Sequence, residues 1–352
     1  MSRFWSDVTA RLKPYVPGEQ PVEGSFVKLN TNESPYPPSP NVNSAVSDFS
    51  ISNLSLYPDP DSRMLVDALS ARFNLSNEYI FVGNGSDEVL AHTFVGLLRQ
   101  ERPLRFPDIS YGFYSVWAEL FDIDTKLIPL RQDFSINVDD YLDTDSPIII
   151  ANPNAPTSLA LGLPDIERLA SGNPDSVVVI DEAYIDYGGE SALPLVEKYD
   201  NILVVQTFSK SRALAGTRVG YAFGHPVLIQ ALRRVKDSFN SYPIDSLSQA
   251  TAVASLSDED YFRKCCDRVC KSRESLIEGL INLGFDVLPS KTNFVFASHP
   301  DISGAELYSE LYKQKILVRY WNIPRLQGHV RITVGSESQC EQLLSELGKV
   351  VS

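Results

Sequence analysis

The chain is poor in the residues that staple folds or hold metals. Its 352 residues include 4 cysteines and 4 histidines. The histidines, at 92, 225, 299 and 329, are scattered and lack ligand spacing. Cys265, Cys266 and Cys270 fall on one expected helix, Asp260 to Lys271, with no histidine nearby, and Cys340 is remote. They read as small buried thiols, and no metal is expected. His329, two residues before Arg331, stands nearest to candidate chemistry, although a strand residue explains it equally well. Apolar runs are strand-sized, well below the ~20 residues a membrane span needs. The opening Met1 to Asp7 lacks an apolar signal core, so a cytoplasmic protein is expected. Basic residues are in deficit too. Thirty-one Lys and Arg against 45 Asp and Glu leave a net charge of -14, which argues against a nucleic-acid partner.

What is present lies in three short segments. The first is Thr207-Phe-Ser-Lys-Ser-Arg-Ala-Leu-Ala-Gly-Thr-Arg-Val-Gly220, which follows the apolar stretch Asn201 to Gln206. A lysine at a strand end, crowded by cations and partly desolvated, loses its proton more easily and can form a Schiff base with a carbonyl. Thr207, Ser209 and Arg218 are the residue types expected to hold a phosphate beside it. Lysine imine plus phosphate anchor is how pyridoxal 5'-phosphate is bound. A bare Ser-Lys pair would be a solvated surface feature, so the reading needs a partner for the pyridine ring.

That partner is upstream. Ser176 to Ile180 reads as a buried strand ending in Asp181-Glu-Ala-Tyr184. A carboxylate at one parallel-strand end beside a lysine at another lies where open α/β sheets place ligands. Asp181 would pair with the ring nitrogen and Tyr184 with the ring hydroxyl, while small Ala183 lets the ring lie flat. Taken alone, Asp-Glu after a strand is also a plain helix cap. The third segment is Tyr79 to Val82, then Gly83-Asn-Gly-Ser-Asp-Glu88 and a helical run from Val89 to Leu98. Its glycines and free helix-start amides at Gly85, Ser86 and Asp87 make an anion cradle. The glycine spacing fits neither the Walker loop nor the dinucleotide fingerprint.

These elements, in this order and spacing, resemble the fold-type I, aspartate-aminotransferase-like pyridoxal-phosphate enzymes, and closely the histidinol-phosphate aminotransferase family. Pro14-Tyr-Val-Pro-Gly18, Leu29-Asn-Thr-Asn-Glu33, Tyr57-Pro-Asp-Pro60 and Val330-Arg-Ile-Thr-Val-Gly335 extend the likeness over nearly the whole chain. The resemblance implies an α/β fold with a mostly parallel sheet in a large domain and a smaller α+β C-terminal domain. The expected division is an N-terminal arm over 1–40, packing on the small domain or a partner subunit, a large domain over 41–240 and a small one over 241–352. A long amphipathic helix should open the small domain.

It also implies roles. Lys210 would carry the cofactor and shuttle the proton, with Asp181, Tyr184, Thr207, Ser209, Arg218, Gly85, Ser86 and Asp87 around it. Tyr111 would stack on the ring, and Tyr57 would cross to the phosphate held by the other subunit of a homodimer. Tyr15, Asn32, Arg319 and Arg331 would meet the substrate, Arg331 gripping a carboxylate through a guanidinium fork. Arg325 reads as a surface cation. One departure stands out: the family pattern Asn-Asn-Pro-Thr-Gly is here Asn154-Ala-Pro-Thr-Ser158, so Ala155 replaces the asparagine at the ring oxygen. Tyr184 then acts alone there, or Asn152 or Asn154 turns toward it. Ala155-Pro156 is a candidate cis bond. The implied activity is reversible amino transfer between L-histidinol phosphate and 2-oxoglutarate. The rivals are threonine-phosphate decarboxylation, aromatic-amino-acid transamination and, more distantly, a non-catalytic sensor domain.

Overall fold

Val178, Ile180, Ile202 and Val204 point to one side of a sheet, Val179, Leu203 and Val205 to the other, and both sets are buried. Burial on both faces marks a sheet covered by helices on either side, and it explains why these segments read as continuous apolar runs. The computed structural model describes residues 3–21 and 26–351; residues 22–25 of the expected arm lie outside the described residues. In chain order the strands are β1 (Val27–Lys28), β2 (Ile80–Gly83), β3 (Leu104–Pro107), β4 (Thr125–Ile128), β5 (Ile148–Ala151), β6 (Val178–Asp181), β7 (Ile202–Thr207), β8 (Gly220–Gly224), β9 (Asp286–Val287), β10 (Phe294–Ser298), β11 (Ile316–Leu317), β12 (Arg319–Tyr320) and β13 (His329–Thr333).

Seven of them form the large sheet in the order β2-β8-β7-β6-β5-β3-β4. β8 runs antiparallel to β2 and β7, and the remaining pairings are parallel. Register then decides what meets at the edge. Gly220 stands opposite both Gly83 and Thr207, and Asp181 stands opposite Ala151. The ends that carry all three sequence segments therefore share one edge, where open α/β sheets place ligands.

One face of the sheet packs on helices Arg63–Phe73, Leu163–Ser171 and Ser246–Leu256 through Leu65, Leu69, Ile166, Leu169 and Ala252. The other packs on Gly85–Thr93, a π turn from Phe94 to Leu98, Phe113–Leu120 and Pro226–Phe239. Each fully buried leucine or isoleucine there contributes about 1.5–3 kcal/mol. The C-terminal layer is an antiparallel sheet ordered β12-β13-β10-β9, covered by Glu259–Asn282, Gly304–Lys313 and Glu337–Val350. β1 pairs in parallel with β11, and Leu29 enters the same core. The arm is thus woven into this layer from Val27 onward.

Two expectations shift. The long helix after residue 241 is two helices, Ser246–Leu256 and Glu259–Asn282, because the Asp258 side chain accepts from the Tyr261 amide at 3.3 Å and caps a new start. Ala252 and Leu256 of the first share one core with Leu65 and Ile180. The layer expected to end at residue 240 therefore continues to 256.

Candidate active site

The odd-numbered residues of β6 face the layer that holds helix Phe113–Leu120, so Asp181 points toward it. Its Oδ2 accepts a hydrogen bond from Tyr114 Oη at 2.8 Å, while Oδ1 is buried with no partner. Burial pushes the Asp181 carboxyl up to about 6 from 3.8, against the opposing pull of the Tyr114 hydroxyl; the Asp87 charge raises it further, and the Ala183 amide and Lys210 lower it. A buried carboxylate oxygen left unpaired on a cavity-lining residue is suited to a cationic N–H donor.

Lys210 lies on the loop after β7 and lines the same cavity. Its Nζ donates to the Thr31 carbonyl at 3.4 Å and stands 5.8 Å from the Tyr184 ring centroid. Arg218 closes the loop in the left-handed region, φ 53°. Its guanidinium donates to Asp87 Oδ2 at 2.9 Å and to Ser209 Oγ at 3.4 Å. Strained backbone of this kind persists where surrounding bonds over-determine it. Gly85, φ 83°, faces Arg218: a Cβ there would come within 2.6 Å of Nη2. At Gly220 a Cβ would lie 2.2 Å from the Ser86 amide nitrogen. Both glycines keep this cradle open for the unpaired first-turn amides of helix Gly85–Thr93.

Tyr111 also lines the cavity and donates to Asp87 Oδ1 at 2.9 Å, so one carboxylate holds both Arg218 and Tyr111. Tyr184 Oη accepts from Asn32 Nδ2 at 3.0 Å. Asn32, in the left-handed region at φ 56°, in turn accepts from the Thr333 hydroxyl at 3.0 Å. Placed among the substrate residues from sequence, Asn32 lines the outer cavity but acts on Tyr184.

Ala155 lines the cavity, and Ala155-Pro156 is cis, as is Asn152-Pro153. Neither Asn152 nor Asn154 lines either cavity. Asn152 Oδ1 accepts from the Leu161 amide at 2.7 Å, and its Nδ2 donates to the Leu161 carbonyl at 3.3 Å. Asn154 donates to the Ile109 carbonyl and the Thr157 hydroxyl, both at 3.0 Å, and accepts from Ser110 at 2.8 Å. Both amides are engaged within their own loop and its neighbour, which corrects the alternative that redirected them. Ser158, at the glycine's place, takes φ 64° and donates to the Pro289 carbonyl at 3.0 Å.

A second, outer cavity adjoins the first, and Tyr111, Ala155, Tyr184 and Lys210 line both. Tyr15, Asn32, Arg319 and Arg331 line the outer one. Tyr15 stacks on Phe113 with centroids 4.4 Å apart. Arg331 Nη2 donates to the Asn30 carbonyl at 2.9 Å, its Nε is buried without a partner, and its guanidinium lies over Phe294 at 5.1 Å and Trp321 at 5.2 Å. Arg319 lies over the same Trp321 at 5.3 Å and donates to the Val16 and Pro17 carbonyls. Trp321 thus meets both guanidinium groups, and both arginines line one space.

Three sequence candidates lie elsewhere. Tyr57 is 83% exposed, stacks on Tyr242 and lines neither cavity. Arg325 is exposed, as expected, and its guanidinium donates to Asp108 and to the Arg131 carbonyl. His329 stacks on Phe296 at 4.5 Å and meets Phe134 edge-on, away from the cavities. Sequence reasoning missed Tyr114, Trp321 and the Thr31 carbonyl. Tyr114 follows Tyr111 by three positions, the single local sign that the two share a surface.

The residues present fit pyridoxal phosphate: an unpaired buried carboxylate oxygen, a lysine, and a glycine-lined amide cradle with an arginine converge on one cavity. The sequence matches the family described as Aminotransferase class I and II over residues 25–347. It is 51% identical over 355 residues to histidinol-phosphate aminotransferase 2 of Burkholderia lata, with 100% of each chain covered. To histidinol-phosphate aminotransferase of Acinetobacter baylyi it is 54% identical over 348 residues, 98% of this chain and 96% of the relative. The crystal structure of histidinol-phosphate aminotransferase from Sinorhizobium meliloti in complex with pyridoxal-5'-phosphate superposes with a TM-score of 0.88, covering 100% of this chain and 98% of that one. At 23% identity that likeness speaks for the fold.

Proposed function

Because this chain belongs to the class I and II aminotransferase family, we propose that it transfers the amino group of L-histidinol phosphate to 2-oxoglutarate, reversibly, giving imidazole-acetol phosphate and glutamate in histidine biosynthesis. The observation that carries the reading is the pair of cavities walled jointly by Lys210, Tyr184, Tyr111 and Ala155, the inner with Asp181 and the phosphate-type cradle, the outer with two arginines. Relatives named for this reaction, 51–54% identical along the whole chain, support it. When bound, pyridoxal phosphate supplies a carbonyl that captures amines and a ring that takes up the electron pair left as the substrate C–H bond breaks.

The chain's own residues supply the rest. Lys210 would hold the cofactor, and its freed amine would then carry the proton between substrate and cofactor carbons. Asp181 would keep the ring nitrogen protonated. Tyr184, braced by Asn32, would serve the ring oxygen without an asparagine at position 155, and Tyr111 would cover the ring face. Thr207, Ser209, Arg218 and the Ser86 and Asp87 amides would hold the phosphate. Arg331 and Arg319 would bind an anion common to both substrates, since a guanidinium fork suits phosphate and carboxylate oxygens alike; Tyr15 would wall the pocket. The reading includes a homodimer in which Tyr57 reaches the partner's phosphate, and a cytoplasmic setting. Among the described residues no helix is long and apolar enough to cross a membrane.

A panel of amino donors and keto acceptors tests the reaction, with carbon dioxide and phosphate release followed in parallel. Parallel initial-rate plots with histidinol phosphate and 2-oxoglutarate are expected. Carbon dioxide from threonine phosphate, with histidinol phosphate ignored, would transfer the assignment to decarboxylation. Borohydride reduction followed by peptide mapping should place the cofactor on Lys210; label on another lysine would refute that role.

A further inference from the structure

We propose that Tyr114 is a positioning residue for Asp181: its hydroxyl fixes one carboxylate oxygen, holds the other toward the cofactor's ring nitrogen, and keeps the shared proton on that nitrogen. The inference rests on the pyridoxal-phosphate reading of the inner cavity. Tyr114 is fully buried on helix Phe113–Leu120, meeting Phe106 edge-on at 5.8 Å and Tyr111 at 5.6 Å. A hydroxyl enclosed by aromatic rings needs a partner, and this one has Asp181 Oδ2 at 2.8 Å. The direction of donation is settled, because burial first and the Asp181 charge second raise the phenol well above its ordinary range and keep it protonated.

Geometry divides the carboxylate into two ends. Oδ2 is tied to the helix, which locks the terminal torsion, and Oδ1 is left unpaired on a residue that lines the cavity. A proton between a pyridine nitrogen and a carboxylate rests on the more basic partner. Burial and the nearby Asp87 charge make Asp181 more basic, whereas the Tyr114 hydroxyl, the Ala183 amide and the Lys210 amine make it less so. Tyr111 and Tyr184 are the other titratable groups facing Tyr114. Among the opposing influences the Tyr114 bond is the largest. Without it the carboxylate approaches the ring in basicity, the proton moves toward oxygen, and the ring withdraws electrons less strongly.

The test is Tyr114→Phe, which keeps the aromatic packing and deletes the donor. In the holoenzyme, nitrogen NMR of isotope-labelled cofactor should move from a pyridinium toward a neutral-pyridine signal. Turnover should fall about ten- to hundredfold, the size of one charge-assisted bond, with KM for both substrates little changed. In an Asp181→Asn background, Tyr114→Phe should add no further loss. A ring-nitrogen signal that stays at pyridinium in a variant still carrying cofactor on Lys210 overturns the proposal, as does an additive loss in the double variant. Absence of cofactor from the wild-type protein would instead sink the cofactor reading itself. Should Tyr114→Phe fail to fold, 4-aminophenylalanine at 114, a weaker donor of similar shape, should shift the signal toward neutral pyridine; an unmoved signal there also overturns it.

Discussion

A buried carboxylate with one oxygen unpartnered opposes folding, and Asp181 is such a group. The sign follows from linkage. Its carboxyl stands at about 6 in the folded chain against 3.8 ordinarily, so the unfolded chain releases this proton first as pH rises. The penalty is absent below pH 3.8, grows through the interval and is complete above about 6. That gap corresponds to roughly 3 kcal/mol. Asp181→Asn, able to accept the same Tyr114 bond, should therefore raise the melting temperature of the cofactor-free protein at pH 8. The gain should shrink as pH approaches 4. An equal gain at both pH values would show that the charge is not the cause. Arg331 makes the complementary case at the outer cavity. Arg331→Lys keeps a charge but loses the fork and its contacts with Phe294 and Trp321. Both half-reactions should weaken, by roughly 1–3 kcal/mol each. Loss of glutamate alone, with histidinol phosphate retained, would contradict a shared anion position.

At the scale of elements, the cradle depends on how closely β8 approaches the start of helix Gly85–Thr93. Gly220 stands directly against the Ser86 amide, so its missing side chain is structural. Gly220→Ala must push backbone against backbone, and cofactor affinity should fall at least tenfold, measured by fluorescence titration of the cofactor-free protein. Gly216, four positions before Gly220, meets nothing within 4 Å of an added Cβ. Gly216→Ala should leave stability within about 0.5 kcal/mol. If both behave alike, the close approach does not matter. The same scale divides what the sequence disclosed from what it hid. Asp181 and the Lys210 loop were legible because each motif is a run of neighbours at a strand end. The alternation of covered strands was legible from apolar runs and punctuation. Tyr114 and Asp181 lie 67 positions apart, and Asn32 and Tyr184 lie 152 apart. Their pairing depends on sheet register and helix rotation, which leave no local pattern. The helix Ser246–Leu256 packs in the large layer and not the expected small one for a related reason: its composition does not say which core receives Ala252 and Leu256.

For the whole molecule, a net charge of -14 would repel anionic substrates were cations not gathered at the site. Arg218 serves the inner cavity and Arg319 and Arg331 the outer, so attraction is local. One expected participant is missing from that gathering. Tyr57 projects from a surface where Ile51, Leu54 and Leu56 are also exposed, with Phe239 and Tyr242 close in character and Tyr242 stacked on Tyr57 itself. Exposed apolar side chains in such a run suit a covered face. A two-fold pair would cover it reciprocally and bring each Tyr57 to the other copy's phosphate. Mixed subunits decide this. Combine Tyr57→Phe protein with Lys210→Ala protein after reversible dissociation. If lysine comes from one copy and tyrosine from the other, a mixed dimer has one site with both defects and one with neither. Random pairing should leave roughly a quarter of all sites intact, so activity should exceed the sum of the separate proteins. Activity equal to that sum would mean that each chain builds its site alone. A fully active monomer at assay concentration would rule out the shared site by a separate route, since Tyr57 lines neither cavity of its own chain.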